Sequence, residues 1–266
     1  MSRYERMFSR LKEARRGAFG GFVMLGDPDL KTSSAILDAL VAGGADMLEV
    51  GIPFSDPVAD GPVIQAAAVR ALQRGVRPAD CFALLEQFRA RHTDVPVGIL
   101  TYANIVVARG QEAFYAAAAK AGVDSVLVAD VPALEAAPFC GAARRHGVDP
   151  VLIAAVNTPP ERLKDIARAG AGYTYCVARA GVTGADQEVR FQHADMLNIL
   201  AEAGAPPPVF GFGIAKPEHV QAALKAGAAG VISGSAIVAI IERHGVQAPP
   251  KVRAFVSSMV AASART

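Results

Sequence analysis

Hydrophobic and polar positions along the chain alternate between two periods. Stretches with apolar residues at three- and four-residue spacing, such as Ile36, Leu37, Leu40 and Val41, or Phe82, Leu84, Leu85 and Phe88, predict amphipathic helices. Between them lie short runs that are apolar almost throughout, as expected of strands buried on both faces. The junction from helix to strand repeats: a helical stretch ends at Gly and an apolar run follows directly. It occurs in VAGGADMLEVG (41–51), KAGVDSVLVAD (120–130), RHGVDPVLIAAV (145–156), RAGAGYTYCVA (168–178), EAGAPPPVFGFG (202–213) and KAGAAGVISGS (225–235). Gly just past a helix can take the left-handed conformation that closes the last turn. Two further strands are predicted at GGFVMLG (20–26) and VPVGILTY (95–102), which brings the number to eight.

Eight strands separated by helices can close into a (β/α)8 barrel or stay open as a doubly wound sheet, and eight within about 250 residues favours closure. The segment 62–92 carries two helical patterns, one on each side of the Gly75–Pro78 break, so there is one helix more than a minimal barrel needs. Residues 2–14 place Tyr4, Met7, Phe8 and Leu11 on one face, as a helix closing the N-terminal end of the barrel requires. The expected fold is α/β: a (β/α)8 TIM barrel with an extra N-terminal helix and additional helices. No Pro/Gly/Ser linker divides the chain, so residues 1–266 are expected to form a single barrel domain.

Composition narrows the classes of function. With 52% hydrophobic and 20% charged residues and a formal charge of +2, the chain has a large core and no basic run, so neither nucleic acid nor membrane is expected as a partner. Cys81, Cys140 and Cys176 are scattered and odd in number, which suits reduced thiols in the cytoplasm better than a disulfide framework. The N-terminal MSRYERMFSRLKEARR is interrupted by charges, and no uncharged apolar stretch approaches ~18 residues, so no signal peptide or membrane span is predicted.

Catalytic groups in such a barrel belong at the C-terminal ends of strands and in the loops that follow. In ADMLEVG, Glu49 alternates with Leu48 and Val50; if those two pack against helices, Glu49 points into the barrel mouth, where apolar surroundings would raise its pKa and suit it to general acid work. A structural glutamate paired with an arginine is the competing reading. The next loop, IPFSDPVADGP (52–62), holds Asp56 and Asp60, either of which could simply cap a turn, though Glu49 and Asp60 together suit paired acid and base roles. Glycine-rich strand ends follow at GVTG (181–184), GFGI (211–214) and SGS (233–235). Loops of this kind, with a helix N-terminus, form an anion site from backbone N–H groups, and Ser235 is the expected N-cap of a helix beginning at Ala236. All seven lysines fall outside the predicted strands, which leaves none placed for a Schiff base. The five histidines map to helices or to their ends away from the mouth, so no metal is expected there. Tyr102, Tyr173 and Tyr175 are strand tyrosines, of which Tyr175 would share the mouth with Glu49 if it faces inward. Metal-free acid–base chemistry on a phosphate-bearing substrate remains, with sugar-phosphate isomerisation or ligand-sensing regulation as competing readings.

The stretch LEVGIPFSDPVADGP (48–62), with GDP at 26–28, YAN at 102–104, DSVLVADVP at 124–132, GVTG, GFGI and AGAAGVISGSAIV (226–238), strongly resembles the tryptophan synthase alpha chain over essentially the whole length. The resemblance implies the barrel fold and, in L-tryptophan biosynthesis, cleavage of indole-3-glycerol phosphate to indole and glyceraldehyde 3-phosphate. It implies no cofactor in this chain, and a pyridoxal-phosphate-dependent beta chain as partner in an alpha2beta2 complex; a stand-alone lyase is the alternative. Carried over by position, the catalytic pair falls on Glu49 and Asp60 and the phosphate-binding positions on Gly184, Gly213, Gly234 and Ser235. The indole pocket falls on Phe22, Leu100, Tyr102, Leu127, Ile153, Tyr175, Thr183, Phe212 and Ile232. Departures from the family pattern lie at Ala178 and Ala180, beside Arg179, and in the NIVVARG that follows Ala103.

Overall fold

The computed structural model describes residues 1–177, 186–211 and 213–264, with the side chains of 186–192 outside that description. The strands are β1 (Ala18–Met24), β2 (Met47–Gly51), β3 (Val97–Thr101), β4 (Ser125–Val128), β5 (Asp149–Pro150), β6 (Leu152–Ala155), β7 (Thr174–Val177), β8 (Pro208–Phe210) and β9 (Gly230–Ser233). All pair in parallel, in the order β5-β4-β3-β2-β1-β9-β8-β7-β6. The two ends of that order are neighbours in the chain, because only Val151 separates β5 from β6, so the sheet is a nearly closed barrel.

Nine pairing runs therefore stand where eight strands are expected, and the extra one comes from dividing the predicted strand within 145–156. Pro150 has no N–H to donate, and the ladder changes partner at that point, from β4 to β7. At each of the six predicted helix-to-strand junctions a glycine has positive φ: Gly44, Gly122, Gly147, Gly172, Gly204 and Gly227. The backbone there needs the left-handed region that a Cβ disfavours.

Alternation along the strands sorts side chains into two apolar layers. Phe19, Val23, Leu48, Val50, Ile99 and Val126 join the outer layer, where the sheet packs against the helices. Ala18, Phe22, Met24, Met47, Leu127, Tyr173, Tyr175 and Ile232 fill the interior. The N-terminal helix Arg3–Glu13, capped by Ser2 and Glu5, inserts Tyr4, Met7 and Leu11 into that interior with Phe8 beside them, as its pattern predicts. Helices Pro62–Gln73 and Pro78–Arg91 occupy the two predicted positions around Gly75.

A single guanidinium ties together helices that begin at the barrel mouth. Arg70, on Pro62–Gln73, grips Asp27 through Nε and Nη2 at 2.8 and 2.9 Å and donates through Nη1 to Glu242 at 2.9 Å. Glu242 lies on helix Ser235–His244, so the helix that begins just after Asp60 is held against the one that begins at Gly234 and Ser235. That planar, bidentate fork fixes direction as well as distance.

Candidate active site

Glu49 sits in the middle of β2, level with Phe22 of β1 and Gly98 of β3, and only 1% exposed. Its neighbours Leu48 and Val50 face the helices, so strand alternation turns Glu49 inward. The competing expectation of a structural ion pair with an arginine is not met, since Tyr173 Oη is the group that donates to Glu49 Oε1, at 2.8 Å. Burial raises the Glu49 pKa from 4.5 to about 7; the Tyr173 hydrogen bond opposes that rise and the Asp60 charge adds to it. A carboxyl that exchanges its proton near neutrality can act as a general acid.

The Tyr173 ring packs against Tyr4 from the N-terminal helix at a centroid distance of 5.4 Å, and Tyr4 Oη shares a hydrogen bond with Ser125 Oγ at 2.8 Å. Both hydroxyls crowd Gly98: a Cβ there would meet Ser125 Oγ at 2.6 Å and Tyr4 Oη at 3.1 Å. The absence of a side chain at Gly98 leaves the room in which these polar groups meet.

Asp60 approaches from the loop after β2. Within it, Val58 N–H donates to Asp56 O and Asp60 N–H to Pro57 O, while Gln65 Nε2 donates to Asp60 O at 2.7 Å. Tyr102 anchors the loop from below, accepting the Ala59 N–H at 3.2 Å and stacking on Phe54 at 5.4 Å. The Tyr102 hydroxyl also acts on the Asp60 carboxylate, favouring its charged form. That influence opposes the upward shift that partial burial gives Asp60.

Glu49 and Asp60 line one cavity of about 340 Å³ at the barrel mouth. Of the residues expected in the indole pocket, Phe22, Leu100, Leu127, Ile153, Tyr175 and Ile232 line it, as do Gly213, Gly234 and Ser235 of the expected phosphate positions. Tyr102 does not; buried against Phe54, it reaches the site only through the Asp60 loop. Thr183, Gly184 and Phe212 lie outside the described residues, as do Ala178, Arg179 and Ala180. Ser235 is the first residue of its helix, not the N-cap; Gly234 takes the cap position and no side chain caps it. The helix thus starts one residue earlier than expected, which leaves the Ser235 hydroxyl uncommitted to capping and on the cavity wall.

Several lining residues were not anticipated, among them Ile64, Ala129, Val177 and Ala215, while Gly211 comes from the expected GFGI strand end. The period of two that turns Tyr175 inward carries Tyr173 and Val177 with it, so the signal for both was present in the strand. Gly211 is there because nothing larger fits: a Cβ would lie 2.0 Å from the Tyr175 ring. His219 lies in a helix, as expected, but in the turn of it that is nearest the cavity. His219 sits in the first turn of helix Pro217–Lys225, at the mouth, with Nδ1 2.7 Å from Gly213 O. A side chain in the first helical turn leans back toward the N-terminus, here toward the strand end. Among the described residues no group of His, Cys, Asp and Glu could hold a metal ion, and no helix is long and apolar enough to cross a membrane.

Comparison with known proteins places this geometry in a family. Residues 8–264 match the family model described as tryptophan synthase alpha chain. The tryptophan synthase alpha chain of Shewanella amazonensis is 54% identical over 266 residues, covering 99% of this chain and 100% of that one. Among solved structures, the alpha subunit of tryptophan synthase from Legionella pneumophila superposes with a TM-score of 0.89 at 31% identity, over 98% of both chains. A chain from the tryptophan synthase a2b2 complex of Pyrococcus furiosus superposes with a TM-score of 0.84 at 38% identity, over 93% of this chain and 99% of that one.

Proposed function

This chain belongs to the tryptophan synthase alpha-chain family, and from that premise we propose that Glu49 and Asp60 carry the family's reaction, the cleavage of indole-3-glycerol phosphate to indole and glyceraldehyde 3-phosphate. The observation that carries this reading is a buried carboxyl, Glu49, lining one cavity with a second carboxylate, Asp60, among mostly apolar side chains and glycine backbone; burial raises the Glu49 pKa to about 7.

The bond to be broken joins indole C3 to the first carbon of the glycerol chain. Protonated Glu49 delivers its proton to C3, which turns the ring nitrogen into an iminium-like electron sink. Asp60 accepts the hydrogen bond from the indole N–H and stabilises the positive charge that develops there. Loss of the proton on the adjacent side-chain hydroxyl then drives C–C cleavage, with the bonding pair passing into the ring and an aldehyde left behind. The acceptor of that proton is the carboxylate left on Glu49 or a water molecule. Phe22, Leu100, Leu127 and Ile232 give the indole an apolar slot, and the backbone at Gly213, Gly234 and Ser235 receives the phosphate. Two carboxylates complete the reaction, so this reading needs no cofactor in the chain itself. The pyridoxal phosphate belongs to the beta chain.

The same reading treats residues 1–266 as one barrel domain, working in the cytoplasm as the alpha subunit of an alpha2beta2 complex. Three successive mouth loops carry exposed apolar residues suited to a docking face: Val58 after β2, Val107 after β3 and Leu134 after β4. Pro53 is buried within this chain, so contact from the first of these loops falls on Asp56 and Val58. An assay of indole release from indole-3-glycerol phosphate, with and without a beta chain, tests the proposal. Release that depends on Glu49 supports it; no release under either condition refutes it.

A further inference from the structure

Two backbone carbonyls in the segment after β8 are taken up by side chains that have no part in the reaction as proposed. Gly213 O lies 2.7 Å from His219 Nδ1, and Ile214 O accepts the Ser233 hydroxyl at 2.6 Å. Gly213, Ile214 and Ala215 all line the cavity beside Gly234 and Ser235. His219 is exposed and belongs to the turn beyond the segment, whereas Ser233 is wholly buried at the end of β9. The segment is therefore gripped from two elements, one on each side of the chain direction. Gly213 has φ +76, in the left-handed region that favours glycine.

A phosphate dianion gains from N–H groups and is repelled by carbonyl lone pairs. Because a trans peptide plane holds each C=O antiparallel to the following N–H, fixing a carbonyl also fixes the direction of the next donor. We infer that His219 and Ser233 are positioning residues for the phosphate of the substrate: by holding the carbonyls of Gly213 and Ile214 they keep both lone-pair groups off the anion, and the grip on Gly213 O sets the Ile214 N–H, antiparallel to it, as a donor toward the anion. This rests on the proposed phosphate site at Gly213, Gly234 and Ser235. The Nδ1 of His219 then carries hydrogen and donates to Gly213 O at 2.7 Å; the Ala215 N–H, 3.3 Å from the same nitrogen, faces His219 and is not counted among the donors to the anion.

Titration calorimetry with glycerol 3-phosphate and separately with indole, together with KM and kcat for indole-3-glycerol phosphate in the complex with a beta chain, tests the inference. His219→Ala should weaken glycerol 3-phosphate binding about fivefold, the factor matching the ~1 kcal/mol net worth of one hydrogen bond. KM should rise in parallel, while kcat and the affinity for indole stay at wild-type values. His219→Asn, whose amide N–H stands close to where the imidazole Nδ1–H does, should recover most of the loss, and Ser233→Ala should weaken the phosphate ligand selectively as well. Unchanged glycerol 3-phosphate binding in a folded His219→Ala variant, or equal loss of phosphate ligand and indole, overturns the positioning role. Wild-type protein that binds indole but not glycerol 3-phosphate would instead remove the phosphate site, and the inference with it.

Discussion

At the scale of single residues, Glu49 combines a catalytic assignment with a cost to the fold. Glu49→Gln keeps the shape and loses the titratable proton, so indole release should fall at least ~10²-fold, the lower end for a general acid, with the far-ultraviolet circular dichroism unchanged. The same variant should be more stable than wild type, in a pH-dependent way. Glu49 keeps its proton in the fold to about pH 7 but surrenders it near the ordinary 4.5 once the chain unfolds. Its contribution is therefore full below pH 4.5, declines as pH rises to about 7 and levels off above. Urea unfolding at about pH 5 and about pH 8 should show the advantage of Glu49→Gln growing by ~2–3 kcal/mol between them. An advantage that does not change with pH would mean that Glu49 titrates normally. Tyr173→Phe probes the hydrogen bond that opposes this rise. Without the hydroxyl, the Glu49 pKa climbs further, so the fall of kcat/KM at high pH should move to higher pH; a limb that stays in place assigns it to another group.

At the scale of elements, the helix and loop that frame the cavity are set by contacts on their far sides. Helix Ser235–His244 begins with an uncapped Gly234 at the cavity wall, and Arg70 holds its far end through Glu242. A Cβ at Gly234 would lie 3.5 Å from Phe22, an ordinary contact, so the backbone itself tolerates a side chain there. Gly234→Val should therefore fold and bind the phosphate-bearing substrate poorly. Its KM for indole-3-glycerol phosphate should rise well beyond that of Gly234→Ala, with indole affinity less affected. Equal KM values for the two variants would place the phosphate elsewhere. The Asp60 loop depends likewise on Tyr102, which joins it through the Ala59 backbone N–H and a stacked ring on Phe54.

At the scale of the whole molecule, the barrel presents its site and its exposed apolar loop residues at the same mouth. A beta chain seated on Val58, Val107 and Leu134 would press on the loop that carries Asp60 and shift its population toward the catalytic position. The size of that effect is limited to the difference in partner affinity between the two loop states. Saturating beta chain should raise the rate of indole release, and Val58→Asp should reduce the stimulation while leaving the rate without partner unchanged. Stimulation absent despite complex formation, verified by sedimentation, would favour the stand-alone lyase.

The count of eight strands favoured a closed barrel over an open doubly wound sheet without deciding between them. The repeating helix–Gly–strand junctions made the alternation of helix and strand legible, because each unit's signal is local: helical spacing, a glycine able to take positive φ, then a doubly buried run. The inward direction of Glu49 was legible for the same reason, since alternation with Leu48 and Val50 fixes its face once the helices cover the other. The position of Asp60 in the loop beyond was legible through the motif alone. Tertiary structure decided the rest. Pairing with different neighbours split the fifth strand at Pro150, and strands distant in sequence brought Tyr173 onto Glu49 and Tyr175 against Gly211. Tyr102 moved out of the pocket wall to hold the Asp60 loop, and His219 turned back onto Gly213. A period in the sequence fixes which face a side chain occupies, whereas its hydrogen-bond partner and its pKa depend on which other elements converge there, and that is settled only when the barrel closes.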